Sequence, residues 1–125
     1  MKRLAVMVTT PPHSNLTVSA IEYVEAALKQ GVELIGVFFY QQGVLHANAN
    51  VEIASDEFQA VKHWLRLNKE YALPLHLCVT AADKHGIYCD DTPSDRVNNL
   101  NSAFIVSGLG ELVELTSSAD RLIQF

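Results

Sequence analysis

The most constraining feature of this chain is the run VELIGVFFY at residues 32–40, which is apolar almost without interruption. A strand with one solvated face alternates apolar and polar residues, whereas a strand covered on both faces is apolar throughout. The run therefore predicts a central strand of a parallel sheet. Shorter apolar runs at residues 4–8 and 74–78, and a terminal run at 120–125, predict further strands. Residues 103–106 fit either a short strand or a buried turn.

Stretches of helical spacing alternate with these strands. A first helix is predicted over residues 14–30 and is ended by Gly31, because its apolar side chains recur at helical intervals. A second helix is predicted to begin at Ser55, which would cap it ahead of two acidic residues, and to end before Pro74. Trp64 in this helix is interpreted as a core or interface residue rather than a platform for substrate.

The alternation of strands and helices predicts an α/β fold, a three-layer sandwich with a mostly parallel central sheet and right-handed crossovers. At 125 residues the chain is long enough for one core, so residues 1–125 are predicted to form a single domain. Residues 41–50 are polar and rich in asparagine, and they are predicted to form a long loop that frames access to a functional site.

Composition limits the partners of the chain. Apolar residues make up 49% of it and charged residues only 18%, which favours a surface partly buried against other subunits. The net charge is −5 and no basic cluster stands out, so direct binding to nucleic acid is not expected. No apolar run approaches the ~20 residues that span a bilayer, so no membrane association is expected. A cytoplasmic location is predicted, where both cysteines would remain reduced.

Residues 74–82 carry the strongest candidate for chemistry. The predicted strand ends at Cys78, and small residues compatible with a helix follow at once. Ligands and catalytic groups collect at this edge of α/β sheets, and the start of a helix favours thiolate over thiol. Cys78 is thus a candidate sulfur nucleophile, with an inert core cysteine as the alternative. His76 would lie on the same side of the strand and could support a Cys78 anion when protonated; an inert histidine is its alternative.

Other constellations are weaker. Cys89 lies in a polar segment beside two aspartates, which disfavour its thiolate. His76, Cys78, His85 and Cys89 are suitable zinc ligands by type, but their spacing lacks a Cys-x-x-Cys pair, and no metal site is predicted. Gly108-Leu109-Gly110 lacks the third glycine of a dinucleotide fingerprint, and its glycines are interpreted as permitting a tight start of a helix. No cofactor is predicted, since transfer of sulfane sulfur between thiols needs none.

Several segments together resemble the DsrE-like family, most closely its TusD/DsrE branch of sulfur-relay proteins. The similarity runs nearly from end to end in a conserved order of segments: 37–40 with 43–44, 55–58 with Trp64, 78–82 with 86–87, 107–110, and 120–121 before Phe125. Neither Cys89 nor the turn at 10–13 has a clear place in this pattern.

The resemblance implies a sulfurtransferase that carries a persulfide on Cys78. It implies assembly with TusB-like and TusC-like subunits as a heterohexamer of two heterotrimers, a TusA-like sulfur donor and a TusE-like acceptor. In that setting the sulfur reaches the wobble uridine of certain transfer RNAs. Two alternatives stay open: a DsrE-type subunit of sulfur oxidation, and a non-catalytic scaffold subunit in which Cys78 is buried and another chain carries the sulfur.

Overall fold

A computed structural model describes residues 2–88 and 98–125, whose strands form one parallel sheet of five. The strands run in the spatial order β4-β3-β2-β1-β5. Every neighbouring pair is parallel, and β2 lies at the centre, as its apolar run predicts. The strand bounds are β1 Arg3–Val8, β2 Glu33–Phe39, β3 Leu75–Cys78, β4 Ile105–Ser107 and β5 Arg121–Gln124.

Four α-helices and one 3-10 helix connect the strands. The α-helices are α1 Asn15–Lys29, α2 Ala60–Tyr71, α3 Val79–Lys84 and α4 Leu109–Ser118, and the 3-10 helix is Gln41–Ala47. The chain steps from β1 to β4 in one direction and returns with β5 beside β1. Because parallel crossovers are right-handed, α1 and α2 cover one face of the sheet and α4 covers the other. The predicted three-layer α/β sandwich is confirmed.

The face covered by α1 and α2 contains the densest packing. Trp64 of α2 is fully buried, and its ring meets Phe39 of β2 edge-on with the centroids 5.3 Å apart. Phe104 approaches the same phenylalanine at 5.1 Å. Trp64 is therefore a core residue, as expected. At the surface of this layer Arg66 of α2 binds Glu25 of α1 at 2.8 Å, and this pairing lowers the pKa of that carboxyl group.

Two predictions, one of a boundary and one of a conformation, differ from the structure. The second helix begins at Ala60 rather than Ser55, with Gln59 at the N-cap position. The Gln59 side-chain amide donates to the carbonyls of Ile53, Ala54 and Glu57, and it holds the preceding segment in a turn instead of a helix. The acidic pair after Ser55 suits a first helical turn by local preference, but these local side-chain to backbone hydrogen bonds compete with the helix and override that preference.

The second error concerns residues 41–50, which are not a structureless loop. Residues 41–47 form the 3-10 helix, and it packs directly on the end of β1. A Cβ added to Gly43 would collide with the carbonyl of Val8, so only glycine allows this approach. His46 is fully buried, and its Nε2 donates to the carbonyl of Thr10 at 3.0 Å. Burial lowers the pKa of His46 to about 4.

The glycines at 108 and 110 also differ from their interpretation. Gly108 is the N-cap residue of α4 with a φ of −93°, which any residue adopts. An added Cβ at either glycine would meet nothing within 4 Å. The start of α4 therefore has space for side chains at both positions, and the interpretation that the glycines permit a tight start is wrong.

Candidate functional site

The candidate site lies at the carboxyl edge of the sheet, where β3 delivers Cys78. This cysteine is the last residue of the strand, and it is also the N-cap residue of α3. The predicted change from strand to helix at Cys78 is confirmed. In parallel α/β sheets this edge is where ligands bind.

Cys78 lines a cavity of about 440 Å³ although its own exposed fraction is only 1%. The thiol thus lies at the bottom of a space large enough for a peptide side chain or a short segment of chain. Three elements form the walls: the start of the 3-10 helix, the outer side of α3, and the first residue of α4. The other lining residues are Tyr40, Gln41, Gln42, Thr80, Ala81, Lys84, His85 and Leu109.

The wall formed by the 3-10 helix begins at a strained residue. Gln41 has a φ of +51°, one of two non-glycine residues in the described ranges with a positive φ. Such conformations persist where surrounding contacts impose them, and they are enriched at functional sites. The amide of Tyr40 donates to the carbonyl of Val8 at 3.0 Å, and that of Gly43 donates to Tyr40 at 2.8 Å. These bonds fix the chain on both sides of Gln41 at the rim of the cavity.

The charges that line the cavity suit an anion. Lys84 contributes an ammonium group and His85 an imidazole, and none of the described residues that line the cavity is acidic. The positive charge of Lys84 would stabilise a thiolate or persulfide through the low-dielectric walls. With only six residues, α3 adds a short helix dipole to this effect.

His76 lies two residues before Cys78, and the structure pairs it with residues that sequence reasoning missed. Its Nδ1 is 3.2 Å from the hydroxyl of Ser107, at the end of β4. Its Nε2 is 3.5 Å from a carboxylate oxygen of Glu111, in the first turn of α4. Burial lowers the pKa of His76, and the nearby Glu111 opposes this shift. Burial thus disfavours the protonated imidazole, which is the form that the hypothesis of support for the Cys78 anion needs.

Neither partner of His76 carried a recognisable sequence signal. Ser107 follows a short apolar stretch, and Glu111 is a first-turn acid of an ordinary helix. Their proximity to His76 depends on β4 pairing with β3, in a register that sets Ile105 beside His76 and Ser107 beside Cys78. That strand pairing joins residues about 30 positions apart, so local sequence patterns do not reveal it.

The other sequence candidates are Cys89 and a possible metal site. Cys89 lies outside the described residues. Within residues 2–88 and 98–125 there is no cluster of three or more His, Cys, Asp or Glu side chains that could hold a metal ion. In the same ranges no helix combines the length and apolar character needed to cross a membrane.

Comparison with known proteins defines the class to which this fold and site belong. A model of the DsrE/DsrF-like family matches residues 2–125. The chain therefore belongs to the DsrE/DsrF-like family, and its relatives narrow the class of activity. It is 42% identical to Sulfurtransferase TusD of Salmonella arizonae and 41% identical to that of Salmonella dublin, each over 98% of this chain and 99% of the relative. The chain is a sulfurtransferase.

Solved structures agree with the fold. The YchN protein of E. coli has a TM-score of 0.81 at 20% identity, with both chains covered completely. A protein of unknown function from Methanobacterium thermoautotrophicum has a TM-score of 0.69 at 16% identity, again over the full length of both chains. At these identities the two structures support the five-stranded parallel architecture alone.

Proposed function

We propose that this chain is a sulfur-relay subunit that carries sulfane sulfur as a persulfide on Cys78. The observation that supports this role is the position of Cys78 at the carboxyl end of β3 and at the bottom of a cavity with basic residues. A TusA-like protein would supply the sulfur and a TusE-like protein would accept it, in the cytoplasm. The sulfur would serve 2-thiolation of the wobble uridine of transfer RNA.

The transfer needs no external oxidant or reductant. The Cys78 thiolate attacks the outer sulfur of a donor persulfide, R–S–SH. A new bond forms between the Cys78 sulfur and that outer sulfur, the donor S–S bond breaks, and the donor leaves as R–S⁻. In the second half-reaction an acceptor thiolate attacks the outer sulfur of Cys78–S–SH. The Cys78 thiolate is regenerated, and the acceptor becomes the persulfide.

The cavity supplies two conditions for this chemistry. Burial of the Cys78 sulfur excludes bulk water and oxidants from the persulfide, which is readily lost when exposed. Lys84 and His85 lie on the wall where the thiolate and the departing thiolate carry negative charge. The 3-10 helix contributes Gln41 and Gln42 to the rim, in line with the expectation that residues 41–50 frame access.

Assembly with TusB-like and TusC-like subunits as a heterohexamer is part of the proposal. Apolar side chains are exposed on α4 and on the two edge strands, whereas charged residues are scarce in the chain as a whole. Val113 of α4 is 64% exposed, and exposed apolar residues that group into one patch mark surfaces for contact with another protein. The exposed apolar residues of this region are Ile105, Val106, Leu109, Val113 and Leu122.

A scaffold role is the second candidate, and it is favoured by the burial of the Cys78 thiol. In that case another subunit carries the sulfur and Cys78 is a core residue. A DsrE-type subunit of sulfur oxidation would use the same half-reactions as the relay subunit, so it differs in pathway and not in chemistry.

The test is intact-mass spectrometry after incubation with a persulfide donor of demonstrated activity. The wild type and Cys89→Ser are expected to gain the mass of one sulfur atom, which a reductant removes, and Cys78→Ser is expected to gain none. Absence of an adduct on every variant would favour the scaffold role. An adduct that is lost only in Cys89→Ser would mean that the other thiol is the carrier.

A further inference from the structure

A polar cluster on the α4 face lies next to the candidate site without forming part of the cavity. It consists of His76 of β3, Ser107 at the end of β4 and Glu111 of α4, called here the His76 cluster. The imidazole bridges the other two, at 3.2 Å to the Ser107 hydroxyl and 3.5 Å to the Glu111 carboxylate. Three elements of the fold are joined through one side chain whose residue is 9% exposed.

The sheet makes room for this imidazole. Gly36 of β2 lies beside it, and a Cβ added there would be 3.3 Å from Cδ2 of His76 and 3.2 Å from Cδ2 of Leu115. Both contacts are tighter than ordinary van der Waals packing. The glycine therefore leaves space for the imidazole and for the residue that anchors α4 on the sheet.

The first turn of α4 has few other attachments among the described residues. Its N-cap residue is Gly108, which has no side chain to cap the helix. Leu109 and Val113 are about half or more exposed, and Leu115 is the buried residue of the helix. Leu112 is partly buried against the core, and the contact between His76 and Glu111 is the polar tie between this turn and the sheet.

The turn matters because it forms one wall of the cavity. Ser107 pairs with Cys78 in the ladder between β3 and β4. Gly108 follows it, and then comes Leu109, which lines the cavity. The His76 cluster holds the chain at Ser107 and at Glu111, on either side of Leu109.

The hydrogen-bonding pattern directs the imidazole away from sulfur. In the neutral form one nitrogen donates and the other accepts. When Nε2 carries the proton, it faces the Glu111 carboxylate 3.5 Å away, and the Ser107 hydroxyl donates to Nδ1. When the ring is protonated, Nδ1 also donates, and the Ser107 hydroxyl can turn to the carbonyl of Ile105 at 3.4 Å. In either state both nitrogens face a polar partner other than the Cys78 sulfur.

From this geometry we infer that His76, Ser107 and Glu111 are positioning residues that fix the Leu109 wall over Cys78. The inference deepens the proposed function, on which its significance for sulfur transfer rests. Loss of the tie loosens the wall, so that the thiol becomes easier to reach for small reagents and the cavity becomes less ordered for a protein partner. The chemistry of the sulfur itself is unchanged.

Hydrogen–deuterium exchange of the full-length protein tests the tie without any assay of sulfur transfer. Amides of residues 111–113 are expected to exchange about five- to tenfold faster in His76→Leu and Glu111→Ala, as the loss of one ordinary polar contact would produce. His76→Gln places an amide N–H near the Nε2 position and is expected to restore slow exchange. His76→Asn reaches only the Ser107 side and is expected to remain fast. Glu114→Ala, an exposed acid of the same helix, is the matched control and is expected to match the wild type.

Alkylation of Cys78 by iodoacetamide separates positioning from direct action on sulfur. In His76→Leu the rate is expected to rise about threefold or more as the wall loosens, with the midpoint of its pH profile unchanged. A shifted midpoint would mean that His76 acts on the thiol directly and would overturn the inference. Equal exchange at residues 111–113 in His76→Leu and the wild type would also overturn it. Since neither readout uses a persulfide, failure of the proposed carrier role would be seen separately, as an absent mass adduct on the wild type.

Discussion

The two faces of the sheet differ sharply in how they are covered. On one face α1, α2 and the 3-10 helix close over large rings, and Trp64, Phe39 and His46 have no exposed surface. On the other face α4 is the only helix among the described residues, with Leu115 as its buried residue and an imidazole and a glycine beneath it. The first face supplies the hydrophobic stabilisation of the fold. The second leaves apolar surface exposed and holds a polar cluster beside the candidate site, so assembly and chemistry are expected there.

The two faces are expected to differ most in the loss of unfolding free energy when a buried side chain is truncated. Trp64→Ala removes a fully buried ring that packs on Phe39 and His46, and it should lower the free energy of unfolding by about 3–5 kcal/mol. Leu115→Ala should cost about 2 kcal/mol, because α4 can settle toward the sheet and fill part of the void. Urea titration of both variants measures the contrast. Equal costs would show that α4 is as firmly packed as α2.

Substitution of a glycine on each face tests the same contrast in packing, because it adds volume where the truncations remove it. Gly43→Ala forces a Cβ against the backbone carbonyl of Val8, which cannot move without distorting β1, so a loss of about 3 kcal/mol is expected. Gly36→Ala meets the side chains of Leu115 and His76, which can shift, and should cost about 1 kcal/mol. The midpoints of thermal unfolding, measured for both variants, check the order. If Gly36→Ala proved the more damaging, the α4 layer would be the more rigid of the two.

The densely packed face should also make the fold sensitive to acid. Burial lowers the pKa of His46 to about 4 from its ordinary value of 6.5, so protons bind the unfolded chain more tightly than the native one. The His46 contribution is complete above pH 6.5 and is lost as the pH falls toward 4. The loss reaches about 3 kcal/mol, since each pH unit between the two pKa values contributes about 1.4 kcal/mol.

The pH dependence of unfolding, measured by urea titration between pH 7 and pH 4, tests this contribution. His46→Leu should flatten the curve in that range. His13→Asn should keep most of the slope, because burial is the largest cause of the shift and the charge of His13 is a minor one. A steep curve that persists in His46→Leu would assign the acid sensitivity to carboxylates instead.

The sequence predicted the first face better than the second, for a physical reason. Runs such as residues 32–40 and the spacing of α1 report local burial, and they gave the central strand, the first helix and the position of Cys78 at a strand end. The start of α2 was missed because the side chain of Gln59 binds three carbonyls, which no periodicity shows. The partners of His76 were missed because β4 reaches β3 only through sheet pairing across about 30 residues of chain.

The smallest effect on stability is expected at the exposed surface of α4, and there it should coincide with a large effect on assembly. Val113 is 64% exposed, so Val113→Asp should change the free energy of unfolding of this chain by less than about 0.5 kcal/mol. If α4 is the face that meets TusB-like and TusC-like subunits, a buried unpaired carboxylate at their interface should abolish co-purification with them. Leu16→Asp places the same charge at a residue of α1 that is 54% exposed, on the opposite face, and should leave the complex intact. Size-exclusion chromatography of the co-expressed subunits distinguishes the two variants. Loss of the complex in Leu16→Asp alone would place the interface on the α1 and α2 layer, and the exposed apolar residues of α4 would then need another explanation.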